Sequence, residues 1–454
     1  MWVNLFMPRP DLSRLSPEEK DALILALLDR VAALEAQLKQ PPKTPGNSSV
    51  PPARGQRANR PPRRPKPRCK RDGPGVTRDL ATDPARIVEC HAQIGAHCGA
   101  AVAAEGQALR HASDHIDLPP IRPVVTRVRI FGRRCPGCRR RVRGTPPPTM
   151  PPGSPFGPSV GTMLAYLHHH HAVGYGRRSR LMAELFGLRI SEGAIANALR
   201  RASRPRARAG AAILERLRRA AVIGCDETGA RLSTADLGTR MGWEWVLVSD
   251  TAVLHRIGTS RGRDVVTEVL GGHRPRGWVS DRWGAQQGHA AAHQVCLAHV
   301  LRDVQYAVEA GEPCFAPALR RLLCWAVAGG RRRPNLKDST LAQYHAKAER
   351  RLDRLLAMPV ATPAGAELHR QTKRWRGQFF TFMTDREVPP TNNAAERALR
   401  PSVIFRKVTN GFRSLWGADV HALIRSVIGT GRLNGLSAHQ AISRALAGQP
   451  IFAA

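Results

Sequence analysis

The chain has 454 residues, with 71 lysines and arginines against 35 aspartates and glutamates, so its formal net charge is +36. This length favours roughly two to four domains with enough residues for buried cores. The charge indicates a polyanionic partner, and nucleic acid is the usual one; the alternative is an arginine-rich protein of biased composition. No run of about eighteen apolar residues occurs, so no membrane span is expected.

The cysteines and the start of the chain bear on where the protein works. Nine cysteines are an odd number in a long chain, which favours a metal site in a reducing cytosol over a disulfide framework. Residues 1–10 lack a basic region and a cleavage site, so secretion is not expected. A cytoplasmic, nucleoid-associated location follows if the partner is DNA.

The first predicted element is a helix that begins near residue 16. Ser16 can cap it, Pro17 suits its first turn, and Glu19 completes a capping box. Apolar residues then recur at alternating spacings of three and four, the a/d seam of a short coiled coil. The seam consists of Ile24, Leu27, Val31, Leu34 and Leu38. A Pro-rich, basic stretch over residues 41–80 leaves the helix no nearby core, so we expect a homo-oligomer through this helix; the alternative is a helix packed on its own domain.

The Pro-rich stretch itself is expected to be an extended linker that either binds phosphates or is merely solvated.

A cysteine pair marks the next module. Cys135-Pro-Gly-Cys138 is a C-x-x-C on a tight turn, which is the geometry of a zinc knuckle. Cys98, followed by glycine, resembles the second half of another knuckle, but the position three before it is Gly95, which has no ligand atom. The candidates for the fourth ligand are Cys90, His91 and His97.

The surroundings of these cysteines favour a zinc ribbon. Residues 124–131 alternate apolar and basic side chains, which predicts a strand between the two half-sites. We expect a structural Zn²⁺ held by Cys98, Cys135, Cys138 and, as the fourth ligand, Cys90. The alternative is a redox-active or degenerate knuckle. An arginine-rich face would carry Arg127, Arg129, Arg133, Arg134, Arg139 and Arg140.

A helical region is predicted after a second Pro-rich break at residues 146–158. Residues 178–186 have apolar side chains at helical spacing, Gly187 ends that helix, and Ser191 can cap a second one running to about Ala202. Two helices joined by a short turn suit a helix-turn-helix, or an ordinary helical pair. The histidines at 168–171 point around a helix, so no shared metal is expected there.

From residue 220 the pattern changes to short apolar strands. Residues 221–225 predict a strand that runs into Asp226, and residues 277–280 predict another that ends at Asp281. Further strands are expected at residues 243–248, 253–257 and 293–296, and helices at 261–270 and 297–310. Three strands, a helix, then strand, helix and strand is the order of a ribonuclease H-like α/β fold. In that fold two carboxylates at neighbouring strand ends share a metal centre with an acid on a later helix.

The third acid is expected near the end of the chain. A helix is predicted after Pro389-Pro390, capped by Thr391 or Asn392, and Glu396 lies within its first two turns. Two Mg²⁺ or Mn²⁺ ions about 4 Å apart can activate a nucleophile and stabilise the leaving oxygen of a phosphodiester, and carboxylates suit them as ligands. The residues that follow and can hold DNA phosphates are Arg397, Arg400, Arg406 and Lys407.

Each of these acids has a structural alternative as a cap or turn residue. Rival acids are Glu227, Asp250, Asp264, Glu268 and Asp303. Asp264 and Glu268 lie at helical spacing among charges and are expected at the surface.

At these residues the sequence resembles the insertion sequence 66 transposases. The resemblance is strongest over residues 392–401, which read Asn-Asn-Ala-Ala-Glu-Arg-Ala-Leu-Arg-Pro, followed by Arg406-Lys407. It implies that Asp226, Asp281 and Glu396 are the catalytic triad of acids, that a helical insertion separates the last two, and that companion proteins of the same element are often needed. Helix-like stretches at residues 316–328 and 341–357 would fill that insertion.

Cys296 and His299 match a Cys-x-x-His signature of the same family. One helical turn apart, they can share a zinc with His289 or His293, have a structural role beside the active site, or bring His299 to the scissile phosphate.

The sequence thus predicts a multidomain α+β protein: a coiled-coil helix, a zinc-ribbon-like module and a helix-turn-helix-like region precede a ribonuclease H-like core with a helical insertion. The expected function is a transposase that cuts element ends and joins their 3′ hydroxyls to target DNA, with double-stranded DNA as its partner. The alternatives are a non-catalytic, transposase-derived DNA-binding protein and a nuclease without strand transfer. The expected boundaries are 14–40 for the leucine-repeat helix, 41–84 for the linker, 85–145 for the zinc-ribbon-like module, 158–215 for the helical region, 220–430 for the core with its insertion at about 312–385, and 431–454 for a C-terminal tail.

Overall fold

The structure is a computed structural model of the chain. It describes residues 16–38, 40–44, 46–48, 78–147, 150, 153, 155–201, 203–234 and 238–452. Of the Pro-rich linker predicted at residues 41–84, residues 45 and 49–77 lie outside the described residues, and so do the side chains of Leu34 and Leu38. The strands are β1 (Gly132–Arg134), β2 (Arg141–Arg143), β3 (Val222–Thr234), β4 (Gly238–Val248), β5 (Val253–Gly258), β6 (Gly277–Ser280) and β7 (Ala292–Val295). The helices are α1 (Pro17–Leu38), α2 (Pro158–His169), α3 (Tyr175–Phe186), α4 (Glu192–Arg201), α5 (Ser203–Leu217), α6 (Arg263–Leu270), α7 (Leu297–Glu309), α8 (Phe315–Arg332), α9 (Asp338–Leu356), α10 (Pro363–Trp375), α11 (Thr381–Thr384), α12 (Asn393–Thr409), α13 (Leu415–Leu433) and α14 (Ala438–Leu446). None of these described helices has the combined length and apolarity that crossing a bilayer requires.

Helix α1 begins where its capping residues predict. The Glu19 N–H donates to Ser16 Oγ at 3.2 Å, and the Ser16 N–H donates to Glu19 Oε2 at 2.8 Å, so both halves of the capping box form. Ile24, Leu27 and Val31 of the predicted seam are about half exposed along this helix. A coiled coil between copies stays a prediction.

The cysteine module contains a short hairpin. β1 pairs antiparallel with β2, and Cys135 to Cys138 lie in the turn between them, as the C-x-x-C spacing predicts. The strand predicted at residues 124–131 is wrong, because that segment has no regular structure and its side chains, such as Val124 and Val125, are largely exposed. Alternation of side chains produces a strand only where a neighbouring strand supplies backbone partners, and here the pairing begins at Gly132.

The helical region forms as its end signals predict. Gly187 ends α3 in the left-handed conformation with φ of 62°, which glycine adopts without steric cost. Ser191 Oγ accepts the Ala194 N–H at 3.2 Å and caps α4. These helices share one apolar core with α13 and α14, and its members include Leu164, Ile195, Ile424 and Ile442. The segment predicted as a C-terminal tail therefore contributes α14 to this core.

A mixed five-stranded sheet forms the centre of the molecule, in the order β5-β4-β3-β6-β7. β3, β4 and β5 are mutually antiparallel, whereas β6 pairs parallel with β3, and β7 pairs parallel with β6. All five strands expected from the sequence are present. One expectation is wrong: β3 does not end before Asp226 but continues to Thr234, because every residue from Gly224 to Thr234 pairs with β4.

The two faces of the sheet pack against different helices. One face buries Trp245 and Trp278 in a core shared with Leu217 of α5 and Val266 of α6. The opposite face is covered by α12 and α13, which contact β3, β4 and β5. Beyond β7, helices α7 to α11 form a separate core around buried phenylalanines, and α8 and α9 confirm the helices predicted in the insertion.

The loop between α12 and α13 extends the sheet region at the far end of β3. The Phe412 N–H donates to the Arg231 carbonyl at 2.9 Å, and the Ser233 N–H donates to the Phe412 carbonyl at 2.8 Å. Gly411 makes this contact possible, since its φ is 95° and a Cβ there would lie 2.5 Å from the Arg231 carbonyl oxygen. The loop is thus held rigidly against β3.

Candidate active site

The two predicted aspartates lie side by side on neighbouring parallel strands. β3 and β6 pair with Gly224 opposite Val279; Asp226 lies two residues further along β3, and Asp281 is the first residue after β6 ends at Ser280. Side chains two residues apart on a strand point to the same face, and Gly224 faces Asn392 at the start of α12. Asp226 therefore faces the side of the sheet that α12 covers, and Asp281 lies near enough for its charge to act on Asp226.

Burial and mutual repulsion make these carboxylates costly to ionise. Burial raises the pKa of Asp226 well above its usual value, and the negative charges of Glu227, Asp281 and Glu396 raise it further. Burial also raises the pKa of Asp281, although its Oδ1 accepts the Trp283 N–H at 2.9 Å. A cluster of this kind becomes stable in its charged form when cations bind between the oxygens.

Glu396, in the first turn of α12, lies near enough for its negative charge to act on Asp226. The start of this helix is held by Asn392, whose Nδ2 donates to the Cys225 carbonyl at 2.7 Å and whose backbone N–H donates to Cys296 Sγ at 3.2 Å. The predicted capping role of Asn392 is wrong in part: it occupies the N-cap position, but its side chain makes no capping hydrogen bond because it spans to β3 instead. Asn392 thereby connects the Glu396 helix to the residue preceding Asp226.

The surroundings of Glu396 suit a bound cation. Its Oε1 is buried and has no hydrogen-bond partner among the described residues, while His299 Nε2 lies 3.7 Å away and an Arg302 nitrogen lies 4.0 Å from Oε2. Burial lowers the pKa of His299 to about 4, with Arg302 and Arg282 adding to the effect, so its ring is neutral at pH 7. A buried carboxylate oxygen beside a neutral imidazole fits a metal ligand set.

Cys296, His299 and Glu396 form one potential ligand group, with their ligand atoms all within 4.8 Å of one another. His289 and His293 are engaged elsewhere, since His289 Nε2 bonds to the Ala285 carbonyl and His293 Nε2 to Ser280 Oγ. Burial raises the pKa of the Cys296 thiol, which opposes thiolate formation.

The rival acid Glu227 has a different environment. Arg261 donates to its Oε1 at 2.9 Å, and Gln286 donates to its Oε2 at 2.7 Å, so both oxygens have partners. The Arg261 guanidinium also lies about 4 Å from the ring centroids of Trp243 and Trp283, at 4.2 and 4.1 Å. Arg261 precedes α6, and Trp283 and Gln286 follow β6. No signal in the sequence predicts that these residues border the acids, because only tertiary contacts bring the two segments together.

The remaining rival acids lie apart from this cluster. Asp264 bonds to Ser260, and Glu268 pairs with Arg256 at the surface, as their helical spacing predicts. Asp303 pairs with Arg282, and Asp250 is exposed in the turn after β4.

The basic residues after Glu396 divide into two sets. Arg397, Arg400 and Lys407 are exposed, and each is free to meet a phosphate. Arg406 is half-buried: it donates to Thr228 Oγ1 at 3.1 Å, and burial lowers its pKa. Thr228 lies two residues beyond Asp226 on β3, so Arg406 contacts the strand that carries the first acid.

The cysteine module has two turns of the same shape. The Cys135 N–H donates to the Arg140 carbonyl and the Arg139 N–H to the Cys135 carbonyl; forty residues earlier, Gly95 and Gly99 make the corresponding bonds. Gly95 therefore occupies the position of Cys135, and a Cβ built on it would lie 3.2 Å from Cys98 Sγ. Backbone and side-chain contacts with Cys138 and Gly137 lower the pKa of Cys135. Cys98, Cys135 and Cys138 lie in the paired turns, and exposed Cys90 precedes them. Among the described residues these thiols do not form a group of three or more ligand atoms within 4.8 Å of one another.

Comparison with known proteins gives the family. Residues 153–420, more than half of the chain, match the model of the family described as Transposase IS66 family. This match places the molecule among the transposases. The chain belongs to the IS66 family of transposases, whose wider class binds DNA and generally uses divalent metals.

One curated relative matches a short segment. An uncharacterized protein, y4hP, of Sinorhizobium fredii (strain NBRC 101917 / NGR234) is 47% identical over 64 residues. The match covers 14% of this chain and 11% of that protein, so the chain spans about a ninth of its relative's length.

Proposed function

We propose that this transposase cuts the ends of a DNA element and joins the freed 3′ hydroxyls to target DNA, with Asp226, Asp281 and Glu396 as the metal-binding residues. The observation that supports this most is the electrostatic interaction of Asp226 with both Asp281 and Glu396, whose negative charges add to the effect of burial in raising its pKa. The strand order, with three antiparallel strands followed by two parallel ones, supports a ribonuclease H-like core.

The chemistry divides between ions and protein. Bound by these carboxylates, two divalent ions would activate the attacking hydroxyl and stabilise the leaving oxygen of an in-line displacement. Asp226 and Asp281 offer oxygens from one sheet face, and Glu396 offers its unpartnered Oε1 from the opposite side. Neutral His299, 3.7 Å from Glu396, orients that carboxylate or approaches the phosphate. Exposed Arg397, Arg400 and Lys407, with Arg406, hold DNA phosphates along α12.

The remaining parts of the chain have supporting roles in this proposal. Cys98, Cys135 and Cys138, with Cys90 as the fourth ligand, hold a structural Zn²⁺, and the paired turns support that assignment. The exposed seam of α1 supports association of copies through this helix. α3 and α4 act as a helix-turn-helix-like pair within the helical region proposed at residues 158–215. Companion proteins of the same element take part in transposition, as the family resemblance implies.

The test is metal-dependent nicking of a plasmid that carries the element's ends. We expect nicking with Mg²⁺ or Mn²⁺ and loss of at least about a hundred-fold in Asp226→Ala, Asp281→Ala and Glu396→Ala, each with DNA binding retained. Asp264→Ala is the matched control, since it removes a carboxylate of α6 that lies outside the cluster, and it should nick normally. Undiminished nicking in the triple variant would refute the proposal.

A second assay separates transposition from simple cleavage. A duplex with a pre-cut 3′ hydroxyl should become joined to plasmid DNA by the wild-type protein. Nicking without joining would indicate a nuclease, and DNA binding without nicking would indicate a non-catalytic regulator.

A further inference from the structure

A cavity of about 600 Å³ opens at the far end of α12 from Glu396. It lies between the N-terminal turn of α3, the C-terminal turn of α12 and the loop that leads into α13. Its size is in the range of sites that hold one small molecule or one residue of a polymer. None of the residues discussed above as metal ligands lines it.

The interior of this cavity is aromatic. Phe405 and Phe412 are buried at its inner end, where their rings stack on each other with centroids 5.7 Å apart. Tyr175 and Trp416 are half-buried at the walls, and exposed Val408 lies at the mouth. The Arg200 guanidinium lies 4.8 Å from the Trp416 ring centroid and fixes that ring in place.

The rim of the cavity is positive. Arg177, Arg180 and Arg413 line it and are exposed, and no acidic residue lines it within the described part of the chain. Two helices also begin here. Gly174 precedes α3 and provides no side-chain cap, whereas Ser414 precedes α13 and its Oγ accepts the Gly417 N–H at 3.2 Å. The remaining backbone N–H groups and the two helix dipoles favour an anion at the same place.

Aromatic walls beneath a rim of arginines and helix N-termini match the two halves of a nucleotide, a planar base and a phosphate. We propose that this cavity holds one unstacked nucleotide of a DNA strand bound by the transposase. The base stacks against the partly exposed rings of Tyr175 and Trp416, and its phosphate lies against Arg177, Arg180 and Arg413. This assignment rests on the proposed function in one respect: the DNA strand in the cavity is taken to be the strand that also reaches Asp226, Asp281 and Glu396.

The position of the cavity sets a spacing. Val408 lies twelve residues after Glu396 on α12, which corresponds to about 18 Å along the helix axis. At about 3.4 Å per nucleotide, the captured base lies roughly five nucleotides from the reacting phosphate. A strand held at both places is fixed in register, so the cavity would determine which phosphate reaches the metal ions.

The first experiment maps the contact directly. The full-length protein is irradiated with an oligothymidine of roughly 15 nucleotides that carries one 5-iodouracil, and the adducts are located by peptide mass spectrometry. We expect adducts on Trp416 or Tyr175. Adducts confined to other tryptophans would overturn the proposal.

The second experiment measures affinity for the same oligonucleotide. Trp416→Ala should weaken binding roughly ten-fold through loss of stacking, and Trp416→Phe should restore most of it. Arg413→Ala should reduce the dependence of log affinity on log salt by about 0.7, as expected for one lost phosphate contact on a single strand. Arg444→Ala, which removes an exposed arginine from α14, is the charge-matched control and should leave the adduct pattern unchanged.

The outcomes separate this proposal from the catalytic one. Asp226→Ala should abolish nicking but keep the adduct on Trp416, so each idea fails on its own assay. Equal weakening in Arg413→Ala and Arg444→Ala would show general electrostatic binding and overturn the cavity's role. A change of oligomeric state in Trp416→Ala without loss of binding would show that a second copy of the chain fills the cavity, which also overturns it. Circular dichroism checks folding, and Arg413→Ala tests the proposal if Trp416→Ala does not fold.

Discussion

Asn392 is the residue whose replacement most directly tests how the acids are brought together. Its side chain is 2% exposed, and its Nδ2 is the donor to the Cys225 carbonyl, immediately before Asp226. In Asn392→Ala that carbonyl loses its partner while the backbone bond to Cys296 remains. We therefore expect α12 to stay docked but to hold Glu396 less firmly, which makes Asn392 a positioning residue.

The size of the effect follows from the contact that is lost. A buried carbonyl without a partner costs about 1 to 3 kcal/mol of unfolding free energy. For a domain of this size each kcal/mol lowers the melting temperature by about 2 to 4 °C, so a mid-range cost of about 2 kcal/mol predicts a decrease of about 4 to 8 °C. Nicking should decrease at least about ten-fold, because a misplaced catalytic group is costly even when the fold survives.

Asn392→Asp adds a pH test. The new carboxylate would face a carbonyl and the charge of Asp226, so its pKa in the folded protein should lie above the unfolded value of about 3.9. A carboxylate whose pKa is raised in the folded protein lowers the unfolding free energy when it is ionised. This loss of stability becomes smaller as the pH falls through the raised pKa. We expect Asn392→Asp to melt below Asn392→Ala at pH 8 and to approach it at acidic pH.

The measurements are thermal denaturation and the plasmid nicking assay. Asn434→Ala is the matched control, because Asn434 Nδ2 also donates to two carbonyls, of Thr251 and Thr430, but at the end of α13. It should lower the melting temperature similarly and leave nicking per folded molecule unchanged. If Asn392→Ala keeps both the wild-type melting temperature and nicking rate, the Cys225 bond does not position Glu396.

Three further predictions concern stability. Without divalent ions, Asp281→Asn should raise the unfolding free energy by about 1 kcal/mol, because burial raises the pKa of Asp281 and its charge opposes folding at pH 7. Differential scanning fluorimetry should show this increase, and it should also show that Mn²⁺ no longer shifts the melting temperature of the variant. Burial lowers the pKa of His168 to about 3 from an unfolded value of about 6.5. The unfolding free energy of the wild-type protein should therefore decline as the pH falls from about 6.5 towards 3, because the unfolded chain gains a proton that the folded protein does not. Urea titrations should show a smaller decline for His168→Gln. Gly330→Ala should destabilise the folded protein by about 1 to 3 kcal/mol, because a Cβ at Gly330 would lie 2.6 Å from the Phe382 ring. Gly329→Ala on the same helix should stabilise the folded protein by up to about 1 kcal/mol. Equal shifts in the melting temperatures of the two variants would contradict this expectation.

Local signals in the sequence predicted most elements of the fold. Apolar runs located all five strands of the sheet, and the glycine at 187 and the serine at 191 located the end of α3 and the start of α4. These signals succeed because they report on backbone conformation within a few residues. The length of β3 was not predictable in this way, since its polar second half is a strand only because β4 pairs with it.

The acidic residues of the candidate site were predictable from the sequence, but the residues that contact and position them were not. Asp226, Asp281 and Glu396 stand out by type and position, and the structure brings their charges within interacting range. The pairing of Glu227 with Arg261 and the bond from Asn392 to Cys225 depend on tertiary contacts between distant segments. No periodicity encodes such contacts, and the same holds for the cavity built from α3, α12 and the loop into α13.

The separation of the acids along the chain has a consequence for biosynthesis. Asp226 and Asp281 belong to one sheet, but residues 282–395, including helices α7 to α11, must emerge from the ribosome before Glu396 does. Translation adds about 5 to 20 residues per second, so for several seconds each nascent chain carries two of the acids without the third. If the three acids are the proposed metal ligands, a polypeptide that ends before Glu396 lacks one of them, and we expect it to be inactive in the nicking assay.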